Sequence, residues 1–240
     1  MHSPFVFDFI LNVLNNKSNY QPPGEIEDLR RLLLKDKRII EIEEMGAGSR
    51  TSSSNQRTVG QIANASLKSK RLAQILFRLV KHYQPLSIIE LGTSLGITTC
   101  YFSKANPDAS VITIEGNKPT AALAKENFQK LNCKNVQLQQ GNFDDILPSI
   151  LSRVPTIDLA YIDGNHRYQP TINYFQQFLA KWRNQTILVF DDIHWSAEME
   201  NAWKEIESHP SVQYTIDIFF LGFVFFRKDF KVKQNFSIRF

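Results

Sequence analysis

Two stretches carry glycines where a chain can wrap a cofactor, "RIIEIEEMGAGSR" at 38–50 and "SIIELGTSLGITT" at 87–99. Each reads as an apolar strand that ends beside an acid and runs into a glycine loop. A nucleotide-binding unit needs more than glycines. The strand must lead into a helix whose N-terminus faces the ligand, then into a second strand ending in an acid for the ribose hydroxyls. After Gly92 both follow: a helix from about Gly96 to Lys104, then "VITIEGN", which closes a strand at Glu115. After Gly46 no such strand follows for a long way. The loop "GTSLG" from Gly92 to Gly96, with Glu90 before it and Glu115 beyond it, is the one placed to hold a cofactor.

The elements that must position this loop alternate from about Ser87 onward. Candidate strands are Ser87 to Leu91, Val111 to Glu115, Val136 to Gln140, Ile157 to Ile162, Thr186 to Phe190, Val212 to Ile216 and Leu221 to Phe226. Candidate helices between them include Pro119 to Leu131, Pro170 to Trp182 and Ser196 to Glu207, and proline suits a helix start because its missing N–H costs nothing there. Alternation of this kind implies a parallel sheet covered by helices on both faces. Only Asp217 to Phe220 join the last two strands, too few residues for a crossover, so these two should be antiparallel. The first eighty or so residues differ. "EIEDLRRLLLKDKRIIEI" and "TVGQIANASLKSKRLAQILFRLVKHY" carry apolar residues at helical spacing, with a Gly/Ser-rich loop at 45–58 between them. The division expected is a helical segment over 1–84, acting as a lid or dimer contact, and an α/β domain over 85–240.

Composition narrows the classes. A 42% hydrophobic, 22% charged chain of 240 residues affords a core,. The net charge of +4 is mild and interspersed, which does not argue for nucleic acid as a partner,. Cys100 and Cys133 have no metal-type spacing and read as packing residues in a reducing compartment. The start lacks the basic region and cleavage pattern of a signal peptide, and "IDIFFLGFVFF" is too short to span a bilayer. The expectation is a cytoplasmic protein, without a membrane anchor, acting on a small molecule.

The spacing from Gly92 to Gly96 is not G-x-G-x-x-G, so close approach to a pyrophosphate is not specified. A loop preceded by an acid suits a cofactor with a cationic ammonium and no phosphate, and S-adenosylmethionine is one. Here the chain resembles the class I S-adenosylmethionine-dependent methyltransferases. "IIELGTSLG", "VITIEGN", "LQQGNFDD", "IDLAYIDGNHRY" and "ILVFDDIHW" occur in order over roughly the last two thirds of the chain. The resemblance implies an α/β, Rossmann-like, seven-stranded and mostly parallel sheet with an antiparallel last strand. It implies that Glu90, Gly92, Ser94 and Gly96 border the methionine part of the cofactor, with Asp163 nearby, Glu115 the ribose, and Asn142 with Phe143 the adenine.

Within that family the chain is most similar to the catechol-type small-molecule O-methyltransferases. The resemblance implies a divalent cation, Mg²⁺ or Ca²⁺, on Asp163, Asp191 and Asp192, where Asp-Asp replaces the family's Asp-Asn. Three carboxylates around one point repel one another unless a cation or protonation neutralises them. None is needed as a helix cap, since Pro170 and Ser196 already mark helix starts. His166, where the family has a catalytic Lys, and His194 are candidates to take the acceptor's proton, with Asp163 as the third catalytic candidate. A methyltransferase acting on protein or nucleic acid, and a silent module that binds S-adenosylmethionine without turnover, are the alternatives. Arg50 and Arg57 in the first loop are candidates to recognise a carboxylate or phosphate.

Overall fold

The computed structural model describes residues 3–16, 21–42 and 56–239. Most of the first glycine loop, including Arg50, lies outside the described residues, and so does any reading of it as a lid.

The chain opens with α1 (Pro4–Phe9), which continues into a π-helical turn over Ile10–Leu14, then α2 (Gly24–Leu34). The apolar spacing that suggested a helix as far as Ile42 stops sooner. α2 ends at Leu34, and the β-branched Ile39 and Ile40 enter a short strand, β1 (Ile39–Glu41), antiparallel to β2 (Gln56–Thr58),. The second helical stretch is two helices, α3 (Val59–Ser66) and α4 (Lys70–Tyr83). Thr58 and Gln61 form a capping box at the start of α3, and the Ser69 hydroxyl accepts from Leu72 N at the start of α4,. Lys68 is held in the break between them.

The α/β part follows as β3 (Ser87–Leu91), α5 (Ile97–Ala105), β4 (Ser110–Glu115), α6 (Lys118–Lys130), β5 (Val136–Gln140), α7 (Phe143–Arg153), β6 (Leu159–Ile162), α8 (Tyr168–Leu179), β7 (Ile187–Asp191), α9 (Ala197–Ser208), β8 (Tyr214–Asp217), β9 (Leu221–Phe225) and β10 (Gln234–Ser237). The sheet order is β10-β8-β9-β7-β6-β3-β4-β5. β9 runs against both of its neighbours and the other strands are parallel, as the short connection at 217–220 required. Among the described residues the sheet has eight strands rather than seven. β10 pairs with β8 in parallel at the edge, and its mostly exposed residues, "QNFS", carry no apolar alternation by which to find it.

Alternation along the central strands divides the core in two. Ile88, Tyr161, Val189 and Phe223 face one way, into a layer built with α1, α2, α4, α5 and α6. Ile89, Ala160, Ile162, Leu188 and Phe190 face the other way, against α7, α8 and α9,. The N-terminal helices therefore share a core with the sheet. Phe9 meets Phe223 edge to face at 5.0 Å, and buried Arg78 of α4 donates to the carbonyls of Val13 and Leu14 at 2.6 and 3.0 Å. Those contacts satisfy carbonyls that the helix end leaves free. Among the described residues no helix is long and apolar enough to cross a membrane.

Candidate active site

Chemistry collects at the C-terminal ends of the parallel strands, where an open α/β sheet leaves a crevice. β3 runs into the loop from Gly92 to Gly96. Gly92 has φ +103°, and a Cβ there would lie 1.9 Å from the Asp163 carbonyl oxygen. Gly96, at φ +78°, is the N-cap of α5, and a Cβ on it would press 2.5 Å from the Phe128 ring. Both positions demand glycine for conformation and for space.

Glu115 closes β4 and accepts from the backbone N–H groups of Ser94 at 2.7 Å and Asn117 at 2.9 Å. A carboxylate offers about four lone-pair sites, so both oxygens keep capacity for hydroxyl donors. Burial, opposed by those hydrogen bonds, leaves its pKa raised. Asn142 caps α7, its side chain accepting from Asp144 N at 3.1 Å, and its amide keeps two donors,. The Phe143 ring lies over Gly164, where a Cβ would stand 2.6 Å from it, and meets Tyr174 edge to face at 6.0 Å.

Glu90 sits beneath the loop rather than on it. It is fully buried, and its Oε2 accepts from the Thr99 hydroxyl at 2.5 Å and the Thr113 hydroxyl at 2.6 Å. Burial pushes its pKa up to about 8 despite those bonds, so near neutral pH it holds a proton and supports the loop from below. Its Oε1 has no hydrogen-bond partner among the described residues.

Among the described residues, Ser94 in the glycine loop, Asn165 after β6, Asp192 after β7 and Phe219 in the β8–β9 turn have positive φ without being glycine. Strain of this kind is held in place by surrounding structure and concentrates at working sites.

Asp163 after β6, with Asp191 and Asp192 at the end of β7, converge as expected. The cation among them is Lys68. Its ammonium contacts Asp191 Oδ2, with Asp192 Oδ2 at 3.4 Å and Asp163 Oδ1 at 3.5 Å. Burial works against charge on Lys68, but the three carboxylates outweigh it and hold the side chain protonated. Burial also opposes ionisation of Asp163, where Lys68 and His166 prevail and keep it below the usual carboxylate range. Asp191, completely buried and next to ionised Asp163, is pushed well up. Tyr161 donates to Asp163 Oδ2 at 3.1 Å.

The match to residues 89–193 is to a family model described as a methyltransferase domain. Over that stretch the chain is similar to the class I S-adenosylmethionine-dependent methyltransferases, in line with the motifs of the sequence. A catechol O-methyltransferase from Niastella koreensis is 30% identical over 128 residues, covering 52% of this chain and 57% of that protein. This chain thus spans less than two thirds of the length of the curated relatives it matches. Among solved structures, an O-methyltransferase from Bacillus cereus in complex with SAH superposes with a TM-score of 0.63 at 18% identity, over 92% of this chain and 97% of that one. An O-methyltransferase from Streptomyces achromogenes in complex with SAM gives 0.58 at 21% identity, over 67% and 82%. These structures share the fold.

The methyltransferase domain tests two groups implied by the resemblance. Its glycine cradle, unsaturated Glu115 and Phe143–Gly164 platform fit S-adenosylmethionine. The divalent cation fits poorly. Asp163, Asp191 and Asp192 are the hard oxygen donors that Mg²⁺ or Ca²⁺ prefers, and Asp163, His166 and Asp191 bring their ligand atoms within 4.8 Å of one another. But the Lys68 ammonium stands where those oxygens meet. While it remains, an ion at about 2.0–2.6 Å from the same atoms would collide with it.

The two histidines part company. His166 Nε2 lies 3.5 Å from Asp163 Oδ1, inside the cluster. His194 turns outward, its Nε2 2.8 Å from Asp217 Oδ2 and its ring stacked on Phe219 at 5.4 Å. Lys68 is the residue the motifs did not single out. The one hint of it in the sequence was the unmet need of three neighbouring carboxylates for a positive charge.

Proposed function

We propose that this protein transfers the methyl group of S-adenosylmethionine to an oxygen of a small-molecule acceptor. The observation that carries the reading is the direct abutment of the cofactor cradle on the charged cluster. Gly92 packs on the Asp163 backbone, and Asp163 N donates to Leu91 O at 2.9 Å. A molecule in the cradle and a molecule at the cluster would be neighbours.

S-adenosylmethionine, when bound, supplies an electrophilic methyl group on a sulfonium, open to in-line displacement by an oxygen nucleophile. The Gly92 and Gly96 backbone would admit its methionine part, Glu115 its ribose hydroxyls, and Asn142 with Phe143 its adenine. On the acceptor side the chain must hold the nucleophile and receive its proton. His166, in the cluster beside Asp163, is placed to take that proton, and ionised Asp163 would stabilise the imidazolium that results. Trp195, Phe219 and Phe220, exposed by 58%, 62% and 50%, form an apolar rim next to Asp192. Trp195 N donates to Asp192 O and Asp192 N to Phe220 O, which fixes the rim to the cluster. Such a rim supports a flat, partly apolar acceptor such as a phenol rather than a polymer lying along a basic surface.

The test is turnover of methyl-labelled S-adenosylmethionine with a panel of phenols, catechols and aromatic carboxylates. Label in the organic product supports the reading; binding of the cofactor with no label in any acceptor contradicts it.

A further inference from the structure

We infer that Lys68 is a cation built into the chain at the point where the related fold implies a divalent metal, so that this site works without one. Three observations place it there by construction rather than by chance. Its backbone is pinned: Arg30 donates to the Lys68 carbonyl at 2.5 Å, Arg30 Nε donates to Glu27 Oε1 at 3.2 Å, and Glu27 accepts from Tyr101 of α5. Two residues earlier, the Ser66 and Ser94 hydroxyls meet at 2.7 Å, tying the end of α3 to the cofactor loop. The side chain, only 14% exposed, then reaches all three carboxylates.

The partners also explain what the ammonium is for. Asp191 is 0% exposed, and its Oδ1 has no hydrogen-bond partner among the described residues, so Lys68 supplies the one charged contact that compensates its burial. Removing the ammonium would leave ionised Asp163 beside buried Asp191 without the Lys68 cation between them, at a cost far above that of losing a surface pair,. A lysine has three N–H donors, which suits three acceptors arranged around it. Asp192, where the related pattern has Asn, adds the third of those acceptors. Toward the acceptor, and here the inference rests on the methyl-transfer reading, the Lys68 ammonium offers positive charge to the oxygen as its proton leaves. A metal would otherwise perform that task.

The test is a calorimetric titration of the full chain with Mn²⁺, which needs neither cofactor nor turnover. The unaltered protein should show no site below millimolar Mn²⁺. Lys68→Ala vacates the meeting point and should gain at least about tenfold in Mn²⁺ affinity, with the gain abolished in the Lys68→Ala, Asp163→Asn double variant. Lys68→Arg, which keeps the cation, should gain none. Two results overturn the inference: stoichiometric Mn²⁺ binding by the unaltered protein that Asp163→Asn removes, or Lys68→Ala that melts cooperatively and gains no Mn²⁺ affinity. S-adenosylmethionine titrated in the presence of EDTA separates the two readings. Its failure to bind would count against methyl transfer and leave the Mn²⁺ results to decide the role of Lys68.

Discussion

The substitution Glu90→Gln should change how stability depends on pH far more than it changes stability at low pH. Glu90 is fully buried with its pKa raised to about 8 from the ordinary 4.5. A carboxyl raised on folding binds its proton more tightly in the folded chain than in the unfolded one. Its contribution to stability is therefore greatest below about pH 4.5 and is lost progressively as pH climbs toward 8. Each unit in that window costs about 1.4 kcal/mol, which amounts to about 3 kcal/mol by pH 7. The substituted amide would mimic the protonated acid. Its carbonyl can accept from Thr99 and Thr113 as Glu90 Oε2 does, and it has no proton to lose. Urea unfolding of both proteins at several values between about pH 5 and pH 8 isolates this group, because all other titrations cancel in the difference. The stability gap should open in favour of the variant at about 1.4 kcal/mol per unit. Curves that stay parallel across the range would refute the assignment of a neutral Glu90.

Gly92→Ala forces a side chain into φ +103° and toward the Asp163 carbonyl, so it should lose more than about 2 kcal/mol of stability, measured by urea unfolding, and with it cofactor binding,. His166→Ala should lower kcat by about 10² or more, as loss of a general base does, while His194→Ala, directed at Asp217, should stay within a few-fold; equal effects would dismiss His166 as the base,. Phe219→Ala should raise KM for an aromatic acceptor about tenfold with little change in the affinity for S-adenosylmethionine, as expected for loss of one apolar wall at the rim,.

The parallel strands were legible because burial on both faces makes them short runs of Ile, Val and Leu. β3 and β7 fall where those runs do, and the short link at 217–220 fixed the direction of β9. β10 was not legible, since an edge strand that packs only Phe236 against the core carries no apolar alternation. Pro170 marked the first turn of α8 but not its start, which lies at Tyr168. At the site, Gly92 and Gly96 could be placed in a tight loop because the backbone there demands glycine, and Glu115 at a strand end because the apolar run before it stops there. The place of Glu90 was legible but its exposure was not: its position before the loop suggested contact with a ligand, while the strand turns it inward against Thr99 and Thr113. Lys68 was beyond reach because it lies 123 residues from Asp191, in a helix break with no motif of its own, and only tertiary packing through Arg30 brings the two together.

Titration of the purified chain with S-adenosylmethionine in a calorimeter, alongside Glu115→Ala, tests the central claim most directly. The account predicts saturable binding at a single site, weakened at least about tenfold when Glu115 can no longer accept hydroxyl donors. Absence of saturable heat from the unaltered protein, or equal affinity in both, would contradict it.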